Sequence, residues 1–287
     1  MNKKKLIPSI IIIFSLVILL ISSLGNEEEV SGTDFPSHRI IAHAMGGIHD
    51  LTYTNTFEAF VANYERGTRI FETDLLLSKD GKLIARHEWT THMSEMLGQL
   101  EVLPANQQGT VLNYKQFMDT PIKDIYSPLD WERILDLLQH YPDTYIVTDT
   151  KESDPAQMMK EFKMLTDAAL SRDPALLERI IPQIYSRDML EQLTQIHPFT
   201  HVIYTLYESQ DSDEQVVDFV KKSGVDITMP ENRVSKKFVK SLKQAGARVY
   251  VHTINNEKQI QKLSKIGVDG FYTDTVSEND LKSPHKQ

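Results

Sequence analysis

RIFETDLLLSKDGKLIARHEW, residues 69–89, is the stretch of the sequence that decides the fold. It begins as an apolar strand in which Glu72 and Asp74 are two positions apart, so their side chains share one face. An Asp-Gly pair then predicts a hairpin turn, after which the chain returns to His87. Two carboxylates beside an imidazole indicate a metal site combined with acid–base chemistry.

Strand-like and helix-like segments alternate on both sides of this hairpin. Strands are predicted at 39–43, 69–76, 144–150, 180–185, 201–206, 225–229, 248–253 and 270–273. Helices are predicted at 55–66, 129–140, 155–170, 188–196, 213–223, 235–245 and 257–266. Strict alternation predicts a parallel sheet, and eight repeats predict a closed (β/α)₈ TIM barrel over residues 38–280. The alternative is an open doubly wound sheet, but no G-x-G-x-x-G turn follows the first strand.

The amino-terminal segment predicts export. Three lysines precede an uncharged, mostly apolar run at 6–24, which is long enough to cross a bilayer as a helix. Small residues near position 25 also fit a cleaved signal peptide, so 1–25 is interpreted as an anchor or a signal peptide. Either interpretation places the domain outside the cell, as a single-pass cell-membrane protein or a secreted one. Residues 26–37 are predicted as a linker and 281–287 as a tail.

Composition narrows the classes of protein that this chain fits. Its formal net charge of -9 argues against non-specific binding of nucleic acid. The chain has no cysteine, which excludes disulfides, a thiolate nucleophile and a lipid-modified cysteine. We expect a monomer that is stabilised by its core.

One connection is too long for a simple loop. Residues 89–128 contain enough apolar side chains to pack on themselves. Because insertions after barrel strands lie over the active site, we expect this segment to form a lid that shapes substrate choice.

Polar side chains collect where the predicted strands end, and catalytic groups of barrels lie at those ends. Burying such groups singly would cost several kcal/mol each, unless they are paired or bound to a metal. They are His43, Glu72, Asp74, Asp149, Lys151 and His252, followed by Asp274 after the last strand. We expect Asp274 to be a capping or loop residue, and Trp89 and Tyr185 to be core residues rather than to line a site.

The sequence resembles the glycerophosphodiester phosphodiesterase family of TIM-barrel enzymes, within the phosphatidylinositol-specific phospholipase C-like superfamily. The resemblance extends over residues 39–274. Its motifs are IIAHAMGG (40–47), TNTFEAF (54–60), FETDLLLSKDGKLIARHEW (71–89), VTDTK (147–151), VYVHTINN (249–256) and GVDGFYTD (267–274).

The resemblance implies a role for each matching residue. His43 and His87 match the acid–base pair of the family, and Glu72 and Asp74 match its divalent-metal ligands. Asp149 falls where a further acidic ligand is usual. Lys151 matches the family's phosphate lysine. His252 and Asn55 are two further candidates for phosphate binding, which this sequence offers beside the family pattern. Asn55 fits equally well as the N-cap of the helix that follows it.

The implied activity is hydrolysis of glycerophosphodiesters or related phospholipid head groups, which are small-molecule or lipid substrates. The carboxylate-rich ligand set predicts Ca²⁺ or Mg²⁺ rather than Zn²⁺. A hydroxyl of the substrate can act as the nucleophile and give a cyclic phosphate, which water then opens. An enzyme that stops at the cyclic phosphate, a phospholipase D-like lyase, is therefore an alternative.

The sequence departs from the family pattern at four positions. Ala44 replaces a usual arginine, Thr54 a usual glutamate and Glu88 a usual aspartate, and His252 replaces an aromatic residue. The first two changes remove a phosphate contact and an acidic group near the metal. A barrel that binds phosphorylated ligands without turnover is therefore a further alternative.

Overall fold

The computed structural model describes residues 35–151 and 154–282. The predicted anchor or signal at 1–25 and most of the predicted linker lie outside the described residues. Within the described residues, no helix is both long enough and apolar enough to cross a membrane.

The described chain forms the predicted TIM barrel. Its strands are β1 (Ile40–Ala42), β2 (Ile70–Leu77), β3 (Leu83–Ala85), β4 (Tyr145–Asp149), β5 (Ile180–Ile184), β6 (Ile203–Thr205), β7 (Asp226–Pro230), β8 (Val249–His252) and β9 (Gly270–Thr273). They make one nine-stranded sheet in which all neighbours are parallel except β2 and β3. Pairing of β1 with both β2 and β9 closes the ring of parallel strands, which excludes the open doubly wound alternative.

The seven predicted helices are present, with ends that differ by at most two residues. The helices are α1 (Phe57–Glu65), α2 (Thr91–Met96), α3 (Tyr114–Met118), α4 (Trp131–His140), α5 (Pro155–Arg172), α6 (Arg187–Ile196), α7 (Asp213–Ser223), α8 (Lys236–Gln244), α9 (Glu257–Ser264) and α10 (Glu278–Lys282). Short 3₁₀ turns lie at Phe35–Ser37, His43–Met45, Pro174–Arg179 and Glu231–Arg233. Several helices begin after a residue whose polar side chain caps the first turn, as α7 does. Gly224 ends α7 in the left-handed conformation with φ 72°.

The hairpin predicted from the sequence extends β2 beyond the barrel wall. Leu75 pairs with Ala85 in antiparallel register, and Gly81 takes up the turn with φ 74°. The backbone N–H of Arg86 donates to the carbonyl of Asp74 at 3.0 Å, so the return strand ends beside the part of β2 that carries the two carboxylates. The hairpin therefore carries His87 toward the carboxylates, as predicted.

The insertion at 89–128 packs beside the barrel mouth rather than across it. Leu103, Leu112 and Phe117 form a small core with Ile84 of the hairpin. Glu58 of α1 accepts hydrogen bonds from the N–H and the hydroxyl of Ser127. No residue of the insertion lines the cavity at the barrel mouth. The cavity therefore lacks the contact with the insertion that a lid would make, and the small core of the insertion packs on the hairpin instead.

The end of the barrel opposite the mouth is covered by Phe35, whose side chain is 1% exposed. Its ring packs against Tyr145 and Tyr250, near the starts of β4 and β8, and against His201. The guanidinium of Arg248 lies 4.9 Å from the ring centroid. The linker predicted at 26–37 is therefore too long, because Phe35 already belongs to the core of the domain.

Candidate active site

Three carboxylates meet at the carboxyl ends of β2 and β4. Glu72 and Asp74 project from β2, and Asp149 ends β4 opposite Asp74 in the strand register. One carboxylate oxygen from each residue lies within 4.8 Å of the others, and all three residues are buried. Parallel pairing of neighbouring strands therefore creates the cluster that the sequence predicted.

Each carboxylate is oriented by a donor from another element. Glu72 Oε2 accepts the backbone N–H of Ala44 at 2.6 Å, and Asp74 Oδ2 accepts from Asn55 Nδ2 at 2.8 Å. The hydroxyl of Tyr185 donates to Asp149 Oδ1 at 2.7 Å. One oxygen of each carboxylate thus remains for contact with a positive charge.

The ammonium of Lys151 supplies such a charge. Its Nζ lies 2.9 Å from Asp74 Oδ1 and 2.7 Å from Asp149 Oδ2. Burial lowers the pKa of Lys151, but the two carboxylates outweigh burial and hold that pKa well above its usual range. Burial raises the pKa of Asp74, but Lys151, the two nearby histidines and the hydrogen bond from Asn55 together outweigh burial and lower that pKa. Lys151 thus pairs with two of the three predicted metal ligands.

A divalent cation fits the remaining part of this cluster. Glu72 Oε1 is buried and has no hydrogen-bond partner among the described residues. Burial and the charge of Asp74 raise the pKa of Glu72, so a positive charge beside this carboxylate would be favourable. Three carboxylates are hard oxygen ligands of the kind that Ca²⁺ and Mg²⁺ prefer. Glu72, Asp74 and Asp149 would hold the cation, in agreement with the ligand set expected from the sequence.

His43 lies immediately after β1 and is held by the last strand. Its Nδ1 is 2.9 Å from Asp274 Oδ1, and Asp274 Oδ2 accepts from Asn255 Nδ2 at 2.7 Å. Burial lowers the pKa of His43, but Asp274 and the nearby carboxylates overcome burial and raise that pKa to about 9. The contact with Asp274 therefore favours the protonated form of the imidazole.

His87 faces His43 across the ring of Tyr53. The Tyr53 centroid lies 4.8 Å from that of His43 and 4.9 Å from that of His87, with both contacts edge-to-face. Burial lowers the pKa of His87, and its Nδ1 has no hydrogen-bond partner among the described residues. The two predicted acid–base residues therefore lie at one site, with their pKa values displaced in opposite directions.

His252 lies at the carboxyl end of β8 and lines the same cavity. Its Nδ1 is 2.9 Å from the hydroxyl of Thr228, and its Nε2 has no described partner. Burial and the charge of His43 lower the pKa of His252 to about 4. When Thr228 donates to Nδ1, the neutral ring presents Nε2–H to the cavity, so His252 would be a hydrogen-bond donor rather than a cation.

Asn55 does not lie in the cavity, although the sequence suggested a phosphate contact there. Its side chain is 0% exposed and bonds to Asp74, while Thr56 is the residue that caps α1. Asn55 has a φ of 49°, and Ala44 has a φ of 50°, so both residues adopt the left-handed region. Thr54 is buried and lies against the hydroxyl of Thr56 at 3.1 Å. This loop thus positions the carboxylates through the backbone of Ala44 and the amide of Asn55.

A cavity of about 670 Å³ opens in front of these groups. On one side it is lined by His43, Glu72, His87, Asp149 and Lys151. It continues across the barrel mouth to residues that follow β5 and β6. This volume is in the range of sites that enclose small organic ligands.

Three residues of the site had not been assigned a role from the sequence. Asp274 was expected to be a capping or loop residue, but it contacts His43 because β9 closes the barrel onto β1. Tyr185 was expected in the core, yet it lines the cavity and binds Asp149. Tyr53 lies in a loop without periodic pattern. Asp274 directly follows the last strand, so the tendency of catalytic groups to lie at strand ends could have identified it. Trp89 packs on Phe117 and does not line the cavity.

A TIM barrel with three buried carboxylates and two histidines at its mouth is typical of barrel hydrolases whose carboxylates can hold a cation. Within that class, residues 45–278 match the model of the glycerophosphoryl diester phosphodiesterase family. The chain therefore belongs to this family of phosphoric diester hydrolases.

Individual relatives are distant in sequence but span the whole domain. A glycerophosphodiester phosphodiesterase of Bacillus subtilis is 20% identical over 95% of this chain and 96% of its own. The structure of an Oleispira antarctica phosphodiesterase with the product sn-glycerol-3-phosphate matches with a TM-score of 0.68 and 16% identity, covering 85% of this chain and 94% of that one. A Thermotoga maritima glycerophosphodiester phosphodiesterase matches with a TM-score of 0.62 and 21% identity, covering 85% and 96%.

Proposed function

We propose that this protein hydrolyses glycerophosphodiesters to glycerol phosphate and a free alcohol, with help from a divalent cation. The observation that supports this most directly is a cluster of three buried carboxylates, two of which line the same cavity as the two histidines. A cation bound by the carboxylates would neutralise charge on the phosphoryl oxygens.

His43 and His87 are suited to opposite proton transfers. Environments that displace two pKa values in opposite directions assign an acid and a base. The pKa of His43 is raised and that of His87 is lowered. His43 is therefore the proposed acid that protonates the departing alkoxide, and His87 the proposed base that deprotonates the attacking hydroxyl.

The glycerol hydroxyl next to the phosphoester is the proposed nucleophile. Its oxygen bonds to phosphorus while the bond to the head-group oxygen breaks, and the departing alcohol takes a proton from the acid. The product of this step is a cyclic phosphate, and addition of water opens it to glycerol phosphate. Lys151 and the Nε2–H of His252 are the proposed donors to phosphoryl oxygens, and the position of both residues in the lining of the cavity supports this assignment.

We further propose that the amino-terminal segment exports the domain and tethers it to the membrane, where the domain would act as a monomer outside the cell. The uncharged run at 6–24 and the lysines before it support this proposal. The proposed cation is Ca²⁺ or Mg²⁺.

Phosphorus NMR of the purified chain with glycerophosphocholine tests the proposed function. Parallel reactions contain Ca²⁺, Mg²⁺ or chelator. We expect glycerol phosphate to form with a divalent cation and not with chelator. Accumulation of a cyclic phosphate that is never opened would favour the lyase, whereas absence of any product in all conditions would contradict the proposal and favour a binding protein.

The Asp274→Asn variant tests the acid assignment. The amide keeps a contact to His43 but loses the negative charge, so we expect kcat to fall by about 10- to 100-fold with little change in KM. The pKa of His43 should also fall, because Asp274 raises it. The alkaline limb of the pH–rate profile, where protonated His43 is lost, should therefore shift to lower pH than in the parent.

Asp167→Asn is the matched control, since Asp167 is exposed on α5 and pairs only with Lys163 among the described residues. It should leave kcat and the pH profile unchanged. An alkaline limb that stays in place in Asp274→Asn would contradict the role given to Asp274.

A further inference from the structure

Arg86 is a buried cation that the proposed mechanism does not use. Its side chain is 2% exposed, and within the described residues it forms no salt bridge. Burial lowers the pKa of Arg86 to about 10, despite the nearby charge of Glu88. Burying a charge is unfavourable unless neighbouring groups compensate it, so the contacts of the guanidinium indicate what this residue does.

The guanidinium of Arg86 joins the end of the hairpin to the insertion. Its Nε donates to the carbonyl of Glu88 at 2.7 Å, Nη1 donates to Gln99 Oε1 at 2.8 Å, and Nη2 donates to Ser94 Oγ at 3.2 Å. The guanidinium carbon also lies 4.8 Å from the centroid of the Trp89 ring, within cation–π distance. These neutral partners hold the cation in one orientation.

The same contacts enclose the backbone of His87. Before this residue, the backbone N–H of Arg86 donates to the carbonyl of Asp74 at 3.0 Å. After it, the side chain of Arg86 binds the carbonyl of Glu88. The Nδ1 atom of His87 has no described hydrogen-bond partner, and Glu88 Oε2 lies 3.7 Å from it, which is beyond hydrogen-bond distance. The backbone that Arg86 holds therefore does much to set the position of the imidazole.

Gln99 is the anchor that the insertion supplies. Its side chain is 0% exposed, its backbone N–H donates to the carbonyl of Ser94 at 2.7 Å, and its Nε2 donates to the carbonyl of Thr120 at 3.3 Å. Turning this amide away from Arg86 would leave buried polar groups unpaired. The insertion thus reaches the candidate site indirectly, through Arg86 and the backbone of His87.

We propose that Arg86 and Gln99 are positioning residues for His87, and that the insertion at 89–128 holds this histidine at the cavity rather than covering the cavity. This inference rests on the proposed function, in which His87 is the base. A base must lie within hydrogen-bond reach of the hydroxyl that it deprotonates, and misplacement by about 1 Å can lower the rate about 100-fold. Neither Arg86 nor Gln99 lines the cavity, so both act through His87.

The Gln99→Met variant removes the acceptor of Nη1 and keeps a side chain of similar length. We expect kcat of the full chain to fall by about 10-fold with KM within about 2-fold of the parent, since the residues proposed to bind phosphate do not lie on the hairpin. Gln99→Glu restores an acceptor for Arg86 and should recover most of kcat. The matched control is Gln108→Met, because the Gln108 amide donates within the insertion to the carbonyls of Leu100 and Leu103 instead. It should keep the parent kcat.

A measurement of geometry separates this inference from the proposed function. The ring centroid of Tyr53 lies 4.9 Å from that of His87 and 4.8 Å from that of His43. NMR of the chain with labelled histidine and tyrosine should therefore show a nuclear Overhauser cross-peak for both pairs. Gln99→Met should weaken the cross-peak between Tyr53 and His87 and keep the one between Tyr53 and His43. Gln99→Glu and Gln108→Met should keep both.

The two measurements together decide between the outcomes. Parent cross-peaks in a folded Gln99→Met variant would overturn the inference even when the parent hydrolyses its substrate. A weakened cross-peak with the parent kcat would overturn the positioning role in catalysis. A weakened cross-peak in a protein whose parent form hydrolyses nothing would contradict the proposed function and leave the structural link between Arg86 and His87 supported.

Ser94→Ala is the milder variant, and it decides the matter when Gln99→Met does not fold. It removes the 3.2 Å contact of Nη2 and leaves the other two hydrogen bonds of the Arg86 guanidinium in place. The cross-peak between Tyr53 and His87 should weaken in the same direction, by less than in Gln99→Met. An unchanged cross-peak together with the parent kcat would overturn the inference.

Discussion

Replacing His43 with asparagine is expected to lower kcat by about 10²- to 10⁴-fold, the usual contribution of one acid or base. The asparagine amide can occupy the place of Nδ1 and keep the contact to Asp274, which lies 2.9 Å from that atom in the parent. What disappears is the group that carries a proton to the leaving alcohol. Steady-state kinetics with glycerophosphocholine and a divalent cation measure the effect, and calorimetry checks that metal affinity is retained.

His92→Gln is the control for this substitution. His92 is exposed on α2, in the insertion, and does not line the cavity. It should keep the parent kcat within about 2-fold, as expected for a surface substitution that touches no functional group. A His43→Asn variant with the parent kcat would remove His43 from the proposed mechanism.

Replacing Lys151 with methionine is expected to make the stability of the domain depend on divalent cations. The ammonium of Lys151 pairs with Asp74 and Asp149, whose side chains are 0% and 6% exposed. Removing one partner of a buried ion pair costs about 3–5 kcal/mol, since the other charge remains without compensation. In chelator, the free energy of unfolding should fall by about this amount, as measured by urea denaturation.

A divalent cation should reverse much of that loss. The variant has the same carboxylates without the competing ammonium, so it should bind the cation more tightly than the parent and gain more stability from it. Lys163→Met is the control, because Lys163 pairs with Asp167 on the exposed face of α5 and such pairs contribute about 0–1 kcal/mol. If Lys151→Met is as stable as the parent in chelator, Lys151 is not the counter-ion of the cluster.

The barrel could be predicted from the sequence because its signals are local. Apolar runs such as Ile40–Ala42 are short and bounded by turns, and glycines such as Gly224 stop helices where the pattern places them. Strand ends then place Glu72, Asp74 and Asp149 on one edge of the sheet. The parallel pairing of β2 with β4 then brings Asp74 beside Asp149.

The contacts that escaped prediction join distant parts of the chain or lie in irregular loops. Asp274 reaches His43 across 231 positions of sequence, through closure of the ring. Tyr53 has a φ of 60°, in a loop whose conformation leaves no periodic signal. Phe35 was assigned to a linker because acidic and polar residues surround it in sequence. Its partners, among them Tyr250, become apparent only when the barrel is closed.

The position of Phe35 has a practical consequence for work with the protein. The chain enters the domain at the end of the barrel where Phe35 packs against Tyr145 and Tyr250, whereas the candidate catalytic groups lie at the opposite end. A domain that is captured on a sensor chip or resin through a tag placed before Phe35 should therefore present its mouth to the flowing solution. Such immobilisation is suited to measuring metal and substrate binding on the surface-held protein.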